Sequence, residues 1–561
     1  MRQPRRERGR PVGRRSARLA DAATLAMRGL LRPLAGLGRF AMPPLARARR
    51  LVIVQIDGLS RSRLERAMAA GYMPSLAARL ASGSHVLQST RAGVPASTPA
   101  FQAGLFYGVS PAVPGFVWFD RRTGREVRMD RAADAAEVER RVARNGPGLL
   151  RGGTSYFSIL SGGAALPHFC LSGVAGELDL EWYQRHMGAW DAVASLLAHS
   201  VTTARSAARL AHEIGVGVVD GLRWSVAVGR AKHEPRFLLH RVLVAAVLRE
   251  VSVQAILLDL SRGVPAVYVD FLPFDEYAHR RGPDSEAALG TLPSIDAALA
   301  AILAGADAVP ELGYEVYVVS DHGHVATRPF ESLAGVSLPE YVALAERGAP
   351  LPRGAAHGRP NRGIAGGRTV GAAGADGVFT AEAGDLAHVY FLRDRGPLPL
   401  DALRARHWRV LAALSASRAV GILAVRGGRR GLALVRGDLV DLSDPLEVQR
   451  LPHPQPALLA AYLTDLLALP ESGDVVVLGW RGEGRDVIAY AWEFGSHGGI
   501  APEELESFVI HPAERTRSFP HVVRPSDLYR FFEDAYRRPD ERGTRPRRAS
   551  CDAEAAEPRS P

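Results

Sequence analysis

Side chains of the kind that bind metal ions follow several apolar runs in this 561-residue chain. They are Asp57, Asp275, His279, Asp321, His322 and His497. Taken singly, most of them also fit an ordinary role, such as a helix cap, a turn residue or a surface pair at helical spacing. Carboxylate oxygens and imidazole nitrogens are suitable ligands for Zn²⁺ and similar ions. Because they occur together, these residues predict a metal site.

A hydroxyl group that could act as a nucleophile lies after the first apolar run. Thr98 is followed by Pro99, which is typical of the start of a helix, so one interpretation is a simple helix cap. A hydroxyl at a helix N-terminus also faces the place where an anion binds. A neighbouring metal ion would lower the pKa of that hydroxyl and make it a nucleophile at neutral pH. Ser97 is the adjacent alternative.

The apolar runs predict the elements that position these side chains. The runs at 51–56, 266–271, 315–320 and 474–478 are typical of buried strands, and helical patterns such as the one over 60–82 separate them. Strands that alternate with helices indicate an α/β fold with a mostly parallel sheet sandwiched by helices. In such sheets, functional groups gather beyond the carboxyl ends of the strands.

Changes in composition divide the chain into segments. We expect a basic arm, disordered or lying on a membrane surface (1–50), a catalytic core in three parts (51–120, 263–340 and 471–536), a helical insert (121–262), a cap-like insert (341–470) with a strand near 384–391, and a disordered tail (537–561). A glycine-rich stretch within the helical insert, 149–164, could form a loop near the site.

Composition and charge exclude several classes of protein. With 47% hydrophobic and 23% charged residues the chain is globular, and two cysteines exclude a disulfide framework. The net charge of +11 belongs to the arm, where 14 arginines and two acids give +12 and leave the remainder about neutral. A nucleic-acid partner is therefore not expected, whereas the arm would suit an anionic membrane surface, a plain disordered tail or a targeting segment. No uncharged apolar stretch long enough to span a membrane is evident.

The ordered motifs resemble the alkaline phosphatase superfamily, and within it the type I phosphodiesterase/nucleotide pyrophosphatase group. Residues 275–283, Asp-Glu-Tyr-Ala-His-Arg-Arg-Gly-Pro, are similar to the group's Asp-x-x-Gly-His-x-x-Gly-Pro. Residues 320–323 match its Ser-Asp-His-Gly, and residues 495–498 match its final Gly-x-His-Gly. Thr98 stands ten residues before Gly108, which is the spacing of the group's nucleophile from a glycine. Together the similar segments cover less than half of the chain.

The resemblance implies an alkaline phosphatase-like core, a phosphate-ester substrate and two divalent metal ions, with Zn²⁺ as the expected metal. It assigns two sets of ligands: Asp275, His279 and His497; and Asp57, Asp321 and His322, together with the oxygen of Thr98. Thr98 would attack the phosphorus of a phosphate diester. Residues 99–102, Pro-Ala-Phe-Gln, stand where the group has Phe-Pro-Asn-His, and Gln102 is the candidate to replace that asparagine as a contact to a phosphoryl oxygen.

Three functions stay open on the sequence. The resemblance favours a phosphodiesterase. A phosphomonoesterase or a lipid head-group phosphotransferase of the same fold is the first alternative. A metal-stabilised scaffold without enzymatic activity, tethered by the basic arm, is the second.

Overall fold

A computed structural model describes residues 49–173, 249–352, 377–482 and 487–537. The expectations for the basic arm and for the tail therefore lie almost wholly outside the described residues. So does the greater part of the predicted helical insert, from 174 to 248.

The described residues form eighteen strands. In chain order they are β1 (Arg50–Ile56), β2 (His85–Arg91), β3 (Val117–Asp120), β4 (Arg125–Arg128), β5 (Thr154–Tyr156), β6 (Leu166–His168), β7 (Ala266–Phe271), β8 (Tyr314–Val319), β9 (Val325–Pro329), β10 (Val378–Ala383), β11 (Leu386–Phe391), β12 (Ile422–Gly427), β13 (Arg430–Val435), β14 (Asp438–Asp441), β15 (Val475–Leu478), β16 (Val487–Ala489), β17 (Gly495–Ser496) and β18 (Glu506–Pro512).

Helices connect these strands. They are α1 (Arg61–Ala69), α2 (Pro74–Ala81), α3 (Thr98–Tyr107), α4 (Ala132–Val142), α5 (Arg249–Arg262), α6 (Pro273–Arg281), α7 (Glu286–Leu289), α8 (Leu292–Asp307), α9 (Phe330–Ala334), α10 (Leu338–Glu346), α11 (Leu400–Arg406), α12 (Trp408–Ala416), α13 (Pro445–Val448), α14 (Pro456–Ala468), α15 (Pro502–Leu505) and α16 (Pro525–Phe532).

The largest sheet has seven strands in the order β2-β18-β8-β1-β7-β5-β6. Strand β1 pairs in parallel with β7 and β8, and β5 pairs in parallel with β6 and β7, whereas β18 is antiparallel to both of its neighbours. Side chains of β1 alternate between two cores, with Val52 packed beside α1, α5 and α8 and Ile53 packed beside α3, α4 and α16. Because both faces are covered, the strand reads as one continuous apolar run. The predicted α/β fold is confirmed.

A second sheet of six strands has the order β10-β11-β15-β12-β13-β14, and all of its pairings are antiparallel. The strand predicted near 474–478 is β15, at the centre of this second sheet. Its assignment to the same sheet as β1 was therefore wrong. An apolar run looks the same in a parallel core and in a buried antiparallel sheet, so sequence alone could not separate the two. The strand that the C-terminal part of the chain adds to the seven-stranded sheet is β18.

Two other predicted elements differ from the structure. The single helix expected over 60–82 is two helices, α1 and α2, because Gly71 adopts a left-handed conformation with φ of +82° between them. The stretch 121–173 is not mainly helical, since β4, β5 and β6 lie within it and two of these extend the large sheet. Strands of three residues are too short to leave a periodic pattern in the sequence.

One helical stretch, Glu286–Asp307, is long and apolar enough to span a membrane by length and composition. The core helix of a soluble protein passes the same test when it is mostly buried. Leu292, Ile295 and Leu299 of this stretch are buried in the core beside α5. Its apolar character is therefore explained by packing.

Candidate active site

Two adjacent strands of the large sheet bring the first group of predicted ligands together. Asp57 follows β1, and Asp321 and His322 follow the neighbouring parallel strand β8, so all three lie at the carboxyl ends of central strands of the sheet. They are almost fully buried. The Nε2 atom of His322 lies 3.2 Å from Asp321 Oδ2 and 3.6 Å from Asp57 Oδ1. The backbone N–H of Gly58 donates to Asp321 Oδ1 at 3.2 Å and fixes that carboxylate.

The hydroxyl of Thr98 lies beside this group, at the start of α3. Its Oγ1 atom is 3.5 Å from Asp57 Oδ1 and 3.4 Å from His322 Nε2. The alternative nucleophile Ser97 is also buried, but its Oγ has no hydrogen-bond partner among the described residues. Of the two hydroxyls, the structure therefore places that of Thr98 within hydrogen-bond reach of the ligand group.

The second group of predicted ligands is built on α6, which follows β7. Asp275 and His279 are one helical turn apart, and His279 Nε2 lies 3.6 Å from Asp275 Oδ2. The other ring nitrogen of His279, Nδ1, is 3.1 Å from the carbonyl oxygen of Gly495 and 3.1 Å from Glu493 Oε2. These contacts orient the imidazole and leave Nε2 directed toward Asp275.

His497 joins the two groups. It follows β17, which pairs with β9 and so lies beside the segment that holds His322. Its Nδ1–H donates to the carbonyl oxygen of Ala96 at 2.8 Å, and its Nε2 is 3.7 Å from Asp275 Oδ1. The His497 ring stacks on His322 with ring centroids 3.7 Å apart. The two predicted sets therefore form one continuous cluster.

The structure adds His324 to this cluster. Its imidazole is fully buried, and its Nε2 lies 2.6 Å from Asp275 Oδ1. Ligand atoms of Asp275, His322, His324 and His497 all fall within 4.8 Å of one another, as do those of Asp57, Asp321 and His322. Sequence patterns did not predict a role for His324, although its place two residues after His322 was a usable signal.

The charges of these groups suit divalent cations. Burial, with the charge of Asp321 added to it, raises the pKa of Asp57 well above its ordinary value. Asp321 Oδ2 is buried and has no hydrogen-bond partner among the described residues. Burial lowers the pKa of His497, and lowers that of His324 to about 3, so both rings are neutral; metal ligation requires this of His497. The donor set of carboxylates and imidazoles therefore fits the implied ions.

Protonation of His279 follows its neighbours rather than its burial. Burial lowers the pKa of His279, but the negative charges of Glu493 and Asp275 raise it by more than burial lowers it, so the resulting pKa is about 9. An ion bound at Nε2 would therefore compete with a proton. We expect the affinity of this group for a metal to rise with pH.

Gln102 is placed differently from its expected role as a phosphate contact. It is fully buried, and its Oε1 accepts hydrogen bonds from the backbone N–H groups of Ile159 and Leu160, both at 2.9 Å. Its Nε2 donates to the hydroxyl of Tyr268 at 3.2 Å and to Asp270 Oδ2 at 3.4 Å. Because both ends of the amide are used within the protein, Gln102 ties the loop around residue 159 to α3 and does not face the site.

A cavity of about 430 Å³ opens onto the cluster. Thr98, Asp57 and Asp275 line its floor together with His279 and His497. Its walls carry large apolar side chains, namely Phe116, Met129, Phe157, Ile159, Phe169 and Trp492. The glycine-rich stretch 149–164 thus does contribute to the site, through a loop that carries Phe157 and Ile159.

Comparison with known proteins gives the family. The sequence model for "Type I phosphodiesterase / nucleotide pyrophosphatase" matches residues 51–365, which is more than half of the chain. The chain belongs to this family. As a type I phosphodiesterase family member it is a phosphoric ester hydrolase, and the family acts on phosphate esters and depends on metal ions.

Two solved structures are similar to this type I phosphodiesterase family member. Both are the phosphonoacetate hydrolase of Sinorhizobium meliloti 1021, one in complex with phosphonoformate and one with phosphonoacetate. Each shows 16% sequence identity and a TM-score of 0.44, and each alignment covers 87% of this chain and 96% of the hydrolase. A search of curated proteins returned no match.

Proposed function

We propose that this family member is a phosphodiesterase that uses the hydroxyl of Thr98 as its nucleophile and binds two divalent ions, with Zn²⁺ as the metal. The observation that carries the proposal is the position of Thr98 Oγ1. It lies within 3.5 Å of both Asp57 and His322, at the first turn of α3 and on the floor of the cavity. A phosphate ester that enters this cavity would meet the hydroxyl and the ligand cluster at the same point.

Two ligand sets would hold the ions. One consists of Asp275, His279 and His497, and the other consists of Asp57, Asp321, His322 and the oxygen of Thr98. Ions held there would lower the pKa of the Thr98 hydroxyl and would neutralise charge on the phosphoryl oxygens. The composition of the sets, with three imidazoles and three carboxylates, favours Zn²⁺ over Mg²⁺ or Ca²⁺, which prefer oxygen ligands.

Other contacts prepare the side chains for this role. The Nδ1–H groups of His279 and His497 donate to the carbonyl oxygens of Gly495 and Ala96, so each ring presents Nε2 to the cluster. The N-terminus of α3 places its positive dipole end at Thr98, where the phosphoryl group would bind. The first feature favours a cation in the cluster, and the second favours an anion directly in front of the Thr98 hydroxyl.

We also propose that the large sheet forms the catalytic core and that the second sheet serves as a cap. The candidate ligands come from the segments that follow β1, β8 and β17 and from α6, which follows β7. Residues 383, 384 and 386, at the turn between β10 and β11, line the same cavity beside the segment that carries His497. Substrate selection would then depend on the second sheet and on the aromatic walls.

Hydrolysis of bis-p-nitrophenyl phosphate by the Zn²⁺-loaded protein tests the proposal. p-Nitrophenyl phosphate, assayed in parallel, separates diesterase from monoesterase activity. We expect faster release of p-nitrophenol from the diester, loss of that rate after chelation with dipicolinate, and its return when Zn²⁺ is added. A faster rate on the monoester would contradict the diesterase assignment, and a rate that survives complete metal removal would contradict the metal requirement.

A further inference from the structure

We propose that His324 is a positioning residue of the metal centre, which acts by holding the carboxylate of Asp275. The inference rests on the proposed function, because it concerns the ion that Asp275 would bind. Nothing in the motifs that identify the family assigns a role to position 324. The inference therefore comes from the contacts of this chain alone.

The distance between the two side chains distinguishes a hydrogen bond from shared metal ligation. His324 Nε2 is 2.6 Å from Asp275 Oδ1. Two ligand atoms about 2.0 Å from one Zn²⁺ in a tetrahedral arrangement lie roughly 3.3 Å apart. A charge-assisted N–H···O⁻ hydrogen bond is about 2.7–2.9 Å long, which is much nearer the observed distance. Since an ionised carboxylate only accepts, the proton must lie on Nε2 of His324.

Hydrogen bonding and close packing fix the position of His324. The buried guanidinium of Arg63 donates to the backbone carbonyl of His324 at 3.1 Å. The ring packs against Gly58, where a β-carbon would lie only 2.7 Å from His324 Cδ2 and 2.9 Å from Asp275 Oδ1. A β-carbon at position 58 would therefore displace the imidazole from the carboxylate. Gly58 and Arg63 thus hold the His324–Asp275 pair in place.

The consequence for the site is that the two carboxylate oxygens of Asp275 have different roles. Oδ1 accepts the hydrogen bond of His324 and lies 3.7 Å from His497 Nε2, whereas Oδ2 faces His279 Nε2 at 3.6 Å. That separation is close to the roughly 3.3 Å expected for two ligands of one ion. His324 therefore orients Asp275 so that Oδ2 and His279 Nε2 can bind together. Loss of such an outer partner typically weakens metal binding by about 10–100-fold.

Substitutions at 324 test this role through metal affinity rather than activity. His324→Leu removes the donor with little change in volume, and His324→Asn is a polar variant too short to reach Asp275, useful if the leucine variant does not fold. His324→Gln keeps an N–H near the position of Nε2. His511, another buried histidine on the distant half of β18, provides the matched control His511→Leu.

Each variant is titrated with Zn²⁺ against a competing chelator, and the visible absorption of the Co²⁺-loaded protein is recorded. We expect the leucine and asparagine variants to bind one of two ions 10–100-fold more weakly and to show an altered Co²⁺ spectrum. The glutamine variant and His511→Leu should stay close to the wild type. The inference is overturned if the leucine or asparagine variant binds both ions as the wild type does. If the wild type itself binds no second ion, the proposed function fails instead.

Discussion

Gly58 is a residue at which a single methyl group should disturb the site. It follows Asp57, has φ of +70°, and faces the His324–Asp275 pair. Alanine in this left-handed conformation costs about 1–2 kcal/mol. In addition, its β-carbon would lie 2.7 Å from His324 Cδ2, whereas carbon atoms pack at about 3.5–4.0 Å, so something must move by roughly 1 Å. A displacement of about 1 Å in a catalytic site can lower the rate by about 10²-fold.

Gly71→Ala is the matched control. Gly71 has φ of +82°, but a β-carbon there would meet nothing within 4 Å, so the variant bears only the backbone cost. In urea unfolding, Gly71→Ala should lose about 1–2 kcal/mol and keep its rate on bis-p-nitrophenyl phosphate. Gly58→Ala should lose at least as much stability and about 10²-fold in rate. Equal rates for the two variants would refute the reasoning about the packing of His324.

Three further predictions follow from the same contacts. Gln102→Leu leaves the backbone N–H groups of Ile159 and Leu160 unpaired, which costs about 1–3 kcal/mol of stability for each group. Because this change loosens a wall of the cavity, we expect KM to rise more than kcat falls. An unchanged KM would contradict this prediction. Burial raises the pKa of Asp259 to about 6, so the folded state favours the neutral carboxyl group and loses stability as pH rises from about 4 to 6. The stability of Asp259→Asn relative to the wild type, measured by urea unfolding, should therefore increase by on the order of 2–3 kcal/mol between pH 4 and pH 7.5. A difference between the two proteins that stays constant with pH would contradict this prediction. Zn²⁺ at one hundred times its Kd should stabilise the protein by about 2.7 kcal/mol per ion, and Asp57→Asn should lose this gain for one ion, as measured by calorimetry with and without chelator.

Sequence patterns predicted the part of the fold in which both faces of a strand are covered. The apolar runs of β1, β7 and β8 are long enough to identify, and the polar residues after them mark the edge of the sheet where they meet. The same reasoning failed for β15, because burial in an antiparallel sheet leaves the same run. The break between α1 and α2 depends on the left-handed conformation of Gly71, which the helical pattern around it obscured.

The candidate site also contains residues that the sequence predicted and residues that it did not. Spacing and family motifs named Asp57, Asp321 and His322, and the structure brings these three together. The outer partners of the ligands could not be predicted, because they depend on contacts between segments far apart in the chain. Glu493 reaches His279 from 214 positions away, and Gln102 bonds to a loop 57 residues on. Such contacts leave no local pattern for sequence analysis to detect.

The most direct test of the account compares Thr98→Ala with Ser97→Ala in the Zn²⁺-loaded protein. Loss of a nucleophile typically lowers kcat by several orders of magnitude, roughly 10³-fold or more. With bis-p-nitrophenyl phosphate as substrate, we expect Thr98→Ala to lose activity to this extent while it still binds two ions. Ser97→Ala should retain most of the wild-type rate, since the Ser97 hydroxyl forms no hydrogen bond with the described residues. Activity that persists in Thr98→Ala and disappears in Ser97→Ala would contradict the central claim.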